Sequence, residues 1–147
     1  MQTFLPYPSF ASCAAVLDGR RLGKQRVEAF QVLRGLRIEE YGWRHHPVVR
    51  MWRGCDQALI AYGLEVCSEW VRRGNRDSVR GKISALSARQ PPPGQGELAA
   101  AGALPRWLGD AEFHRSHQSA LLRKDPVHYG PLFPGVPDDL PYVWPQP

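Results

Sequence analysis

The chain has no long apolar run. No stretch of about eighteen apolar residues occurs, so the sequence predicts no transmembrane helix and no membrane partner. The first ten residues, MQTFLPYPSF, lack the basic and apolar regions of a secretory signal peptide. We therefore expect a cytoplasmic protein.

Cysteine is scarce and has no pairing pattern. The three residues Cys13, Cys55 and Cys67 form no CxxC motif, and their odd number excludes a complete set of disulfides. Cys55 and Cys67 fall at apolar positions of a helical pattern. This usage is typical of small buried hydrophobic residues in a reducing compartment.

A metal site has weak support. His114 and His117 have the i, i+3 spacing that can present two ligands on one helix face, and His45 and His46 form a second pair. No acidic or cysteine ligand is placed near them by spacing, and His117 falls on an apolar helix face. We expect no metal and no other cofactor.

The alternation typical of strands is also absent, and apolar residues recur at helical spacing instead. The pattern predicts an all-α fold: a compact single-domain helical bundle over residues 1–147, with a mobile loop at about 90–104 and an irregular proline-rich C-terminal tail. We expect a monomer. Ser9 or Ser12 could cap a helix that ends at Val16, Asp77 a helix from Ser78 to Ala88, and Asp110 a helix that ends near Lys124. Two further helices are predicted from about Gly19 to Leu36 and from Pro47 to Val71.

Positive charge is concentrated in one segment. From Arg20 to Arg53 there are nine Lys or Arg and three Glu, which gives 9 − 3 = +6 against +5 for the whole chain. Arginines with interleaved Trp and His suit a phosphate backbone and exposed bases, because guanidinium groups bind phosphate and aromatic rings stack on bases. The alternative is a solvated surface in a chain that has sixteen arginines and three lysines.

One face of the predicted second helix combines charge of both signs. Arg21, Lys24, Gln25 and Glu28 fall together, and Glu28 is the only carboxylate among them. A carboxylate beside cations stays ionised and could stabilise a cation that develops on a substrate. The alternative is a simple i, i+4 pair between Lys24 and Glu28.

Arg26 lies on the apolar face of the same helix. A buried guanidinium without a partner costs several kcal/mol, so the side chain must either line a polar cleft or meet a carboxylate. Asp18, Glu112 and Asp125 are the candidate partners. A cleft would favour a functional role, whereas a partner would make Arg26 a structural clamp.

Two clusters could contact nucleic acid. A Trp or His wedge flanked by phosphate-binding arginines would turn a base out of its stack, although a single Trp more often belongs to a core. The second cluster could equally be the end of a surface helix. The candidates are Trp43, Arg44, His45, His46, Arg50 and Arg53 in the first cluster and His114, Arg115, Gln118, Lys124, His128 and Tyr129 in the second.

Three motifs together resemble a known family. LGKQRVEAFQVLRG, GWRHHPVVRMWRG and FHRSHQSALLRKDPVHYGPLFP are similar to a bacterial family grouped with the pyrimidine-dimer DNA glycosylases of the phage endonuclease V type. The resemblance covers nearly the whole chain except the loop around residues 90–104. It implies a small helical enzyme that flips a nucleotide, cuts the glycosidic bond with its N-terminal amine through an imine, and can then eliminate the strand as an AP lyase.

Carried onto this sequence, the resemblance implies the amine of Met1 as nucleophile and Glu28 as the assisting carboxylate. Gln2 is bulky, so we expect Met1 to be retained. The family places its Glu directly after the motif arginine, whereas Val27 follows Arg26 here and Glu28 comes one place later. A shift of one residue along a helix turns the side chain by about 100° around the helix axis, so Glu28 takes the position of the family's Glu only if the helix is locally shifted.

A water-using glycosylase is the second mechanistic possibility. In that version Asp18 or Glu28 would position the water, while Arg21, Lys24 and Arg26 would hold phosphate or the departing base.

The expected function is base excision from duplex DNA at a damaged or modified pyrimidine. Two alternatives stay open: a non-catalytic nucleic-acid-binding module, and a hydrolase that acts on a free modified nucleotide. Only binding to a polymer releases many counterions, so salt dependence separates the free nucleotide from the other two. Turnover separates the enzyme from the binding module.

Overall fold

The fold consists of helices joined by turns and irregular segments. A computed structural model describes residues 1–147 and contains no strand, which confirms the all-α prediction. The eight helices are α1 Phe10–Val16, α2 Gly19–Arg37, α3 Pro47–Met51, α4 Asp56–Arg72, α5 Arg80–Ser84, α6 Gln95–Ala100, α7 Ala111–Lys124 and α8 Pro126–Tyr129. None of them combines the length and hydropathy needed to cross a bilayer.

The helix starts follow from capping side chains. Ser9 accepts a hydrogen bond from the backbone N of Ser12 at 3.2 Å, and Asp18 accepts one from the backbone N of Arg21 at 3.3 Å. Asp110 caps α7 through the backbone N of Glu112 at 2.9 Å. These oxygens satisfy N–H groups that have no partner within the helix, so the predicted starts of α1, α2 and α7 are confirmed.

The prediction of one long helix from Pro47 to Val71 was wrong. The chain leaves the helix after Met51 and starts α4 at Asp56. Gly54 lies in this break with a φ of 80°, a left-handed conformation that glycine adopts without steric cost. The apolar spacing continues across the break, which is why periodicity alone did not reveal it.

The predicted loop at 90–104 contains a helix, α6, in its middle. Gln95 anchors it, because its side chain accepts from the backbone N of Phe10 and donates to the backbone O of Pro8, both at 2.8 Å. Leu98 is buried in the core. Within the helix predicted from Ser78 to Ala88, only the residues of α5, Arg80–Ser84, are helical.

The core lies between α4 and the helices around it. α4 packs most extensively on α2 and also contacts α1, α5 and α6. α2 and α4 approach closely at Gly23, where an added Cβ would lie 2.9 Å from the ring of Trp70. All three cysteines are free, and Cys13 and Cys67 are buried.

An extended N-terminal segment, residues 1–8, runs into this core. Thr3 and Leu5 are fully buried, and Gln2 and Phe4 nearly so. The segment has no helical or strand hydrogen bonding of its own. Its backbone groups therefore depend on side chains from the surrounding helices.

The C-terminal tail, residues 131–147, is irregular, as predicted. Phe133 is buried, and Tyr142 and Trp144 pack against the core. Two buried serines of α7 bind the tail: Ser119 Oγ accepts from the backbone N of Leu140 at 3.0 Å, and Ser116 Oγ accepts from that of Val143 at 3.2 Å.

Arg26 is a structural clamp, and its expected partners were wrong. Its guanidinium binds Asp77 at 2.6 Å and lies over the ring of Trp70, 4.5 Å from the ring centroid. Asp77 also accepts from the backbone N of Arg80 at 2.7 Å. Burial raises the pKa of Asp77, but the hydrogen bonds from Arg26 and Arg80 outweigh it, so the pKa lies below its ordinary value.

Removing Asp77 should be costly because Arg26 would stay buried without its counter-charge. We expect Asp77→Ala to lower the free energy of unfolding by about 3–5 kcal/mol. Asp56→Ala is the matched control, since it breaks the exposed Arg37–Asp56 pair and should cost at most about 1 kcal/mol. Urea unfolding of both variants measures the difference; equal, small losses would contradict the clamp.

Candidate active site

Gln25 holds the N-terminal segment from the buried side of α2. Its Oε1 accepts from the backbone N of Phe4 at 2.8 Å, and its Nε2 donates to the backbone O of Gln2 at 2.7 Å. The Tyr62 hydroxyl lies 2.8 Å from the Phe4 oxygen and 2.6 Å from Gln25 Oε1. Trp52 donates to the Thr3 hydroxyl at 3.0 Å. Side chains thus provide the hydrogen-bond partners that neighbouring strands would provide in a β-sheet.

Two histidines bind the two backbone polar groups of one residue, Leu5. His117 Nδ1 accepts from the backbone N of Leu5 at 2.9 Å, and His114 Nδ1 lies 2.7 Å from the Leu5 oxygen. The backbone N of Gly109 donates to His114 Nε2, so the proton of neutral His114 is on Nδ1 and points at Leu5. The HxxH spacing serves the N-terminal segment.

The first residues of the N-terminal segment line an open cleft of about 430 Å³. Its lining carries four cationic side chains and one carboxylate, that of Glu28. The lining residues are Met1, Gln2, Phe4, Arg20, Arg21, Lys24, Gln25, Glu28, Lys124 and Tyr142. The α2 face predicted from the helical wheel therefore forms one wall of this cleft.

Glu28 is oriented toward the start of the chain. Its Oε2 accepts from Gln25 Nε2 at 2.9 Å and from the backbone N of Gln2 at 3.4 Å. Val27 is 43% exposed and lies outside the cleft lining. The position of the carboxylate two residues after Arg26 thus brings it beside Met1.

The Met1 amine forms no ion pair. Each of the seven ion pairs in the structure joins an arginine to a carboxylate.

The GWRHHP loop reaches the Met1 amine through His46. Burial lowers the pKa of His46, and the positive charge of the nearby amine lowers it further. His46 packs edge-on against Trp43 and Trp144, with ring centroids 5.7 and 5.9 Å apart. The GWRHHP loop therefore lies next to the cleft.

Asp18 lies outside the cleft lining. The Tyr129 hydroxyl donates to one of its oxygens, and Arg21 binds both of them. Partial burial raises the pKa of Asp18, but these hydrogen bonds outweigh it and keep the pKa below its ordinary value. The carboxylate joins the start of α2 to α8.

Several predicted DNA contacts face inward instead. Gln25, His114 and Tyr129 are 1%, 4% and 0% exposed, so their side chains face the interior and not the surface at which we expected contact with DNA. Gln118 is half-buried and donates to the backbone O of Pro6 at 2.8 Å. These residues bind the N-terminal segment or, for Tyr129, Asp18.

Other predicted contacts do lie at the surface. Trp43 is 45% exposed, and Arg44 is half-buried, with a hydrogen bond to the Glu39 oxygen. His128 is exposed but lies 2.9 Å from the Val16 oxygen. The remaining exposed candidates are Lys24, His45, Arg50, Arg53, Arg115 and Lys124.

Four lining residues were not predicted: Gln2, Phe4, Arg20 and Tyr142. Arg20 precedes Lys24 and Glu28 at four-residue spacing, so the helical wheel could have identified it. Tyr142 reaches the cleft through the path of the irregular C-terminal tail, and no local pattern predicts that path.

The sequence profile of pyrimidine dimer DNA glycosylases matches residues 1–81, more than half of the chain. The chain belongs to this family. No curated protein and no solved structure matches it significantly. The matched region of this pyrimidine dimer DNA glycosylase family member contains Met1, Gln25 and Glu28, whereas Lys124 and Tyr142 lie beyond it.

The buried histidine should make stability depend on pH. Burial lowers the pKa of His117 to about 3, so the unfolded chain binds a proton below its ordinary pKa while the folded chain does not. Stability is therefore lost as pH falls. Between about pH 7 and pH 5 we expect the free energy of unfolding to drop by about 2 kcal/mol from this group.

Denaturant unfolding at the two pH values measures this drop. His117→Asn is the control, because an amide oxygen can still accept from the Leu5 N–H but does not titrate. If the free energy of unfolding of His117→Asn dropped equally between the two pH values, the pH dependence could not be assigned to His117.

Proposed function

We propose that the cleft is the active site of a DNA glycosylase that excises a damaged or modified pyrimidine through the Met1 amine. The observation that carries the proposal is the placement of Met1 beside Glu28, the one carboxylate of a cationic cleft. The family match gives DNA as the substrate class.

The chemistry requires a neutral amine and a nearby negative charge. The lone pair of the Met1 nitrogen attacks C1′ of the damaged nucleotide, and the bond from C1′ to the base breaks, with its electron pair leaving on the base. Glu28 stabilises the oxocarbenium-like charge on the sugar. One proton passes from nitrogen to the departed base, and a second passes to the ring oxygen O4′ as the bond from C1′ to O4′ breaks, which gives an imine. Loss of a proton from C2′ then allows the 3′ phosphate to be eliminated.

The absence of an ion pair at Met1 supports this role, because no carboxylate has to be displaced before the nitrogen can attack. Glu28 instead receives two hydrogen bonds from Gln25 and the Gln2 backbone. They leave its other oxygen, Oε1, without a protein partner. That oxygen could face the sugar or accept a proton.

The rim supplies the contacts that hold a strand. Arg20, Lys24 and Lys124 form no ion pair and line the cleft, so their charges are available for phosphates. The cleft volume of about 430 Å³ falls within the range of small-molecule sites. A base must leave the duplex stack to enter it, so the proposal includes a flipped nucleotide.

The GWRHHP loop extends this surface. Trp43 is exposed beside His46, close to the Met1 amine, and Arg50 and Arg53 are exposed a few residues further along the chain. We assign Trp43 the role of stacking against the opened duplex and the arginines that of binding its backbone. Asp18 and Arg26 take no catalytic role in this proposal, because both are bound elsewhere.

Base release from duplexes that each carry one pyrimidine lesion tests the proposal. We expect Glu28→Gln to slow release about a hundredfold, because the charge is lost while the shape is kept. Glu112→Gln is the matched control, since it makes the same charge change at an exposed residue of α7 and should leave the rate unchanged. A fully active Glu28→Gln would remove this carboxylate from the chemistry.

A further inference from the structure

Gln25 uses every hydrogen-bonding group of its side chain. A primary amide has two donor hydrogens and one acceptor oxygen with two lone pairs. Nε2 donates to the Gln2 oxygen and to Glu28, and Oε1 accepts from the Phe4 N–H. The single hydrogen of the Tyr62 hydroxyl is shared between Gln25 Oε1 and the Phe4 oxygen. The residue is 1% exposed. No water is needed to complete this arrangement.

The orientation of this amide is determined by its neighbours. The Phe4 N–H can only donate, and the Gln2 carbonyl can only accept. Exchanging the oxygen and nitrogen of Gln25 would place donor against donor and acceptor against acceptor. The Nε2 group is therefore committed to face Glu28.

Gln25 connects the two groups to which the proposed chemistry is assigned. It binds the carbonyl of Gln2, one residue from the Met1 amine, and it binds the Glu28 carboxylate three residues along the same helix. We infer that Gln25 is the positioning residue that holds the Met1 amine and Glu28 in register for attack on C1′. This inference rests on the proposed function.

The energetic reason is the small tolerance of such a reaction. A nucleophile displaced by about 1 Å can lose about a hundredfold in rate. The other hydrogen bonds from residues 1–3 to the helices are the 3.4 Å contact of the Gln2 N–H with Glu28 and the bond of the Thr3 hydroxyl with Trp52. Without Gln25, the Gln2 carbonyl has no protein donor, and Glu28 keeps only the longer contact.

The test measures the rate at which borohydride traps the protein on a duplex with one abasic site, at saturating DNA. We expect Gln25→Leu to slow trapping by about tenfold to a hundredfold while the Kd for the duplex stays within about twofold of wild type. A residue that only supports the fold would not separate these two quantities at a temperature where the variant is folded.

Gln95→Leu is the matched control. Gln95 also binds the early chain through both ends of its amide, at Pro8 and Phe10, but it contacts neither Glu28 nor residues 1–4. We expect its trapping rate to remain close to that of wild type. Equal slowing of both variants, or slowing that follows the loss of thermal stability, would overturn the inference.

Gln25→Glu keeps the test decisive if the leucine variant fails to fold. The substitution preserves shape and the acceptor for Phe4 but removes both donors and places a second carboxylate beside Glu28. We expect its rate relative to wild type to rise as the pH falls from about 8 to about 5, because a shared proton restores one donor. A pH-independent ratio would contradict the inference.

Failure of the amine mechanism and failure of the positioning role of Gln25 give different results. If wild-type protein forms no trapped complex, the amine mechanism fails and the role of Gln25 fails with it. If wild-type protein is trapped and Gln25→Leu is trapped equally fast, only the positioning role is overturned.

Discussion

The structure depends on satisfying the backbone of an extended segment inside a helical bundle. Residues 2–6 are buried yet form no regular secondary structure, so each inward N–H and C=O group would cost free energy without a partner. Side chains from three directions fill this need. The partners are Gln25 on α2, Tyr62 on α4, and His114, His117 and Gln118 on α7. The bundle is thus assembled around its own N-terminus.

This constraint explains why polar residues divide into two groups. Gln25, Tyr62, His114 and His117, which bind the N-terminal segment, are buried and neutral, and burial lowers the pKa of both histidines. Those that remain charged lie around the opening of the cleft, where Arg20, Lys24 and Lys124 surround a single carboxylate. The neutral group positions the chain, and the charged group is available for a polyanionic ligand.

Local chemistry was sufficient to predict much of the fold. Ser9 and Asp110 marked two helix starts, and the wheel placed Lys24 and Glu28 on a common face that does line the cleft. The break in the helix at Gly54 was not predicted, because the apolar spacing continues through it. Such a break depends on tertiary packing, which periodicity does not report.

The inward polar residues were harder to predict, for a physical reason. Gln25 and His114 have the sequence context of surface residues, and only the buried N-terminal segment gives them an interior role. The partner of Arg26 is 51 positions away at Asp77, beyond any helical spacing. The path of the C-terminal tail that brings Tyr142 to the cleft is likewise a property of the whole fold.

The central claim is that the fold delivers the Met1 amine to a sugar carbon beside Glu28. Its most direct test is to trap wild-type protein on an abasic duplex with borohydride, digest the complex, and identify the DNA-linked residue by mass spectrometry. The account predicts attachment at the α-nitrogen of Met1. Attachment at Lys24 or Lys124, whose amines line the same cleft, or no covalent complex at all, would contradict it.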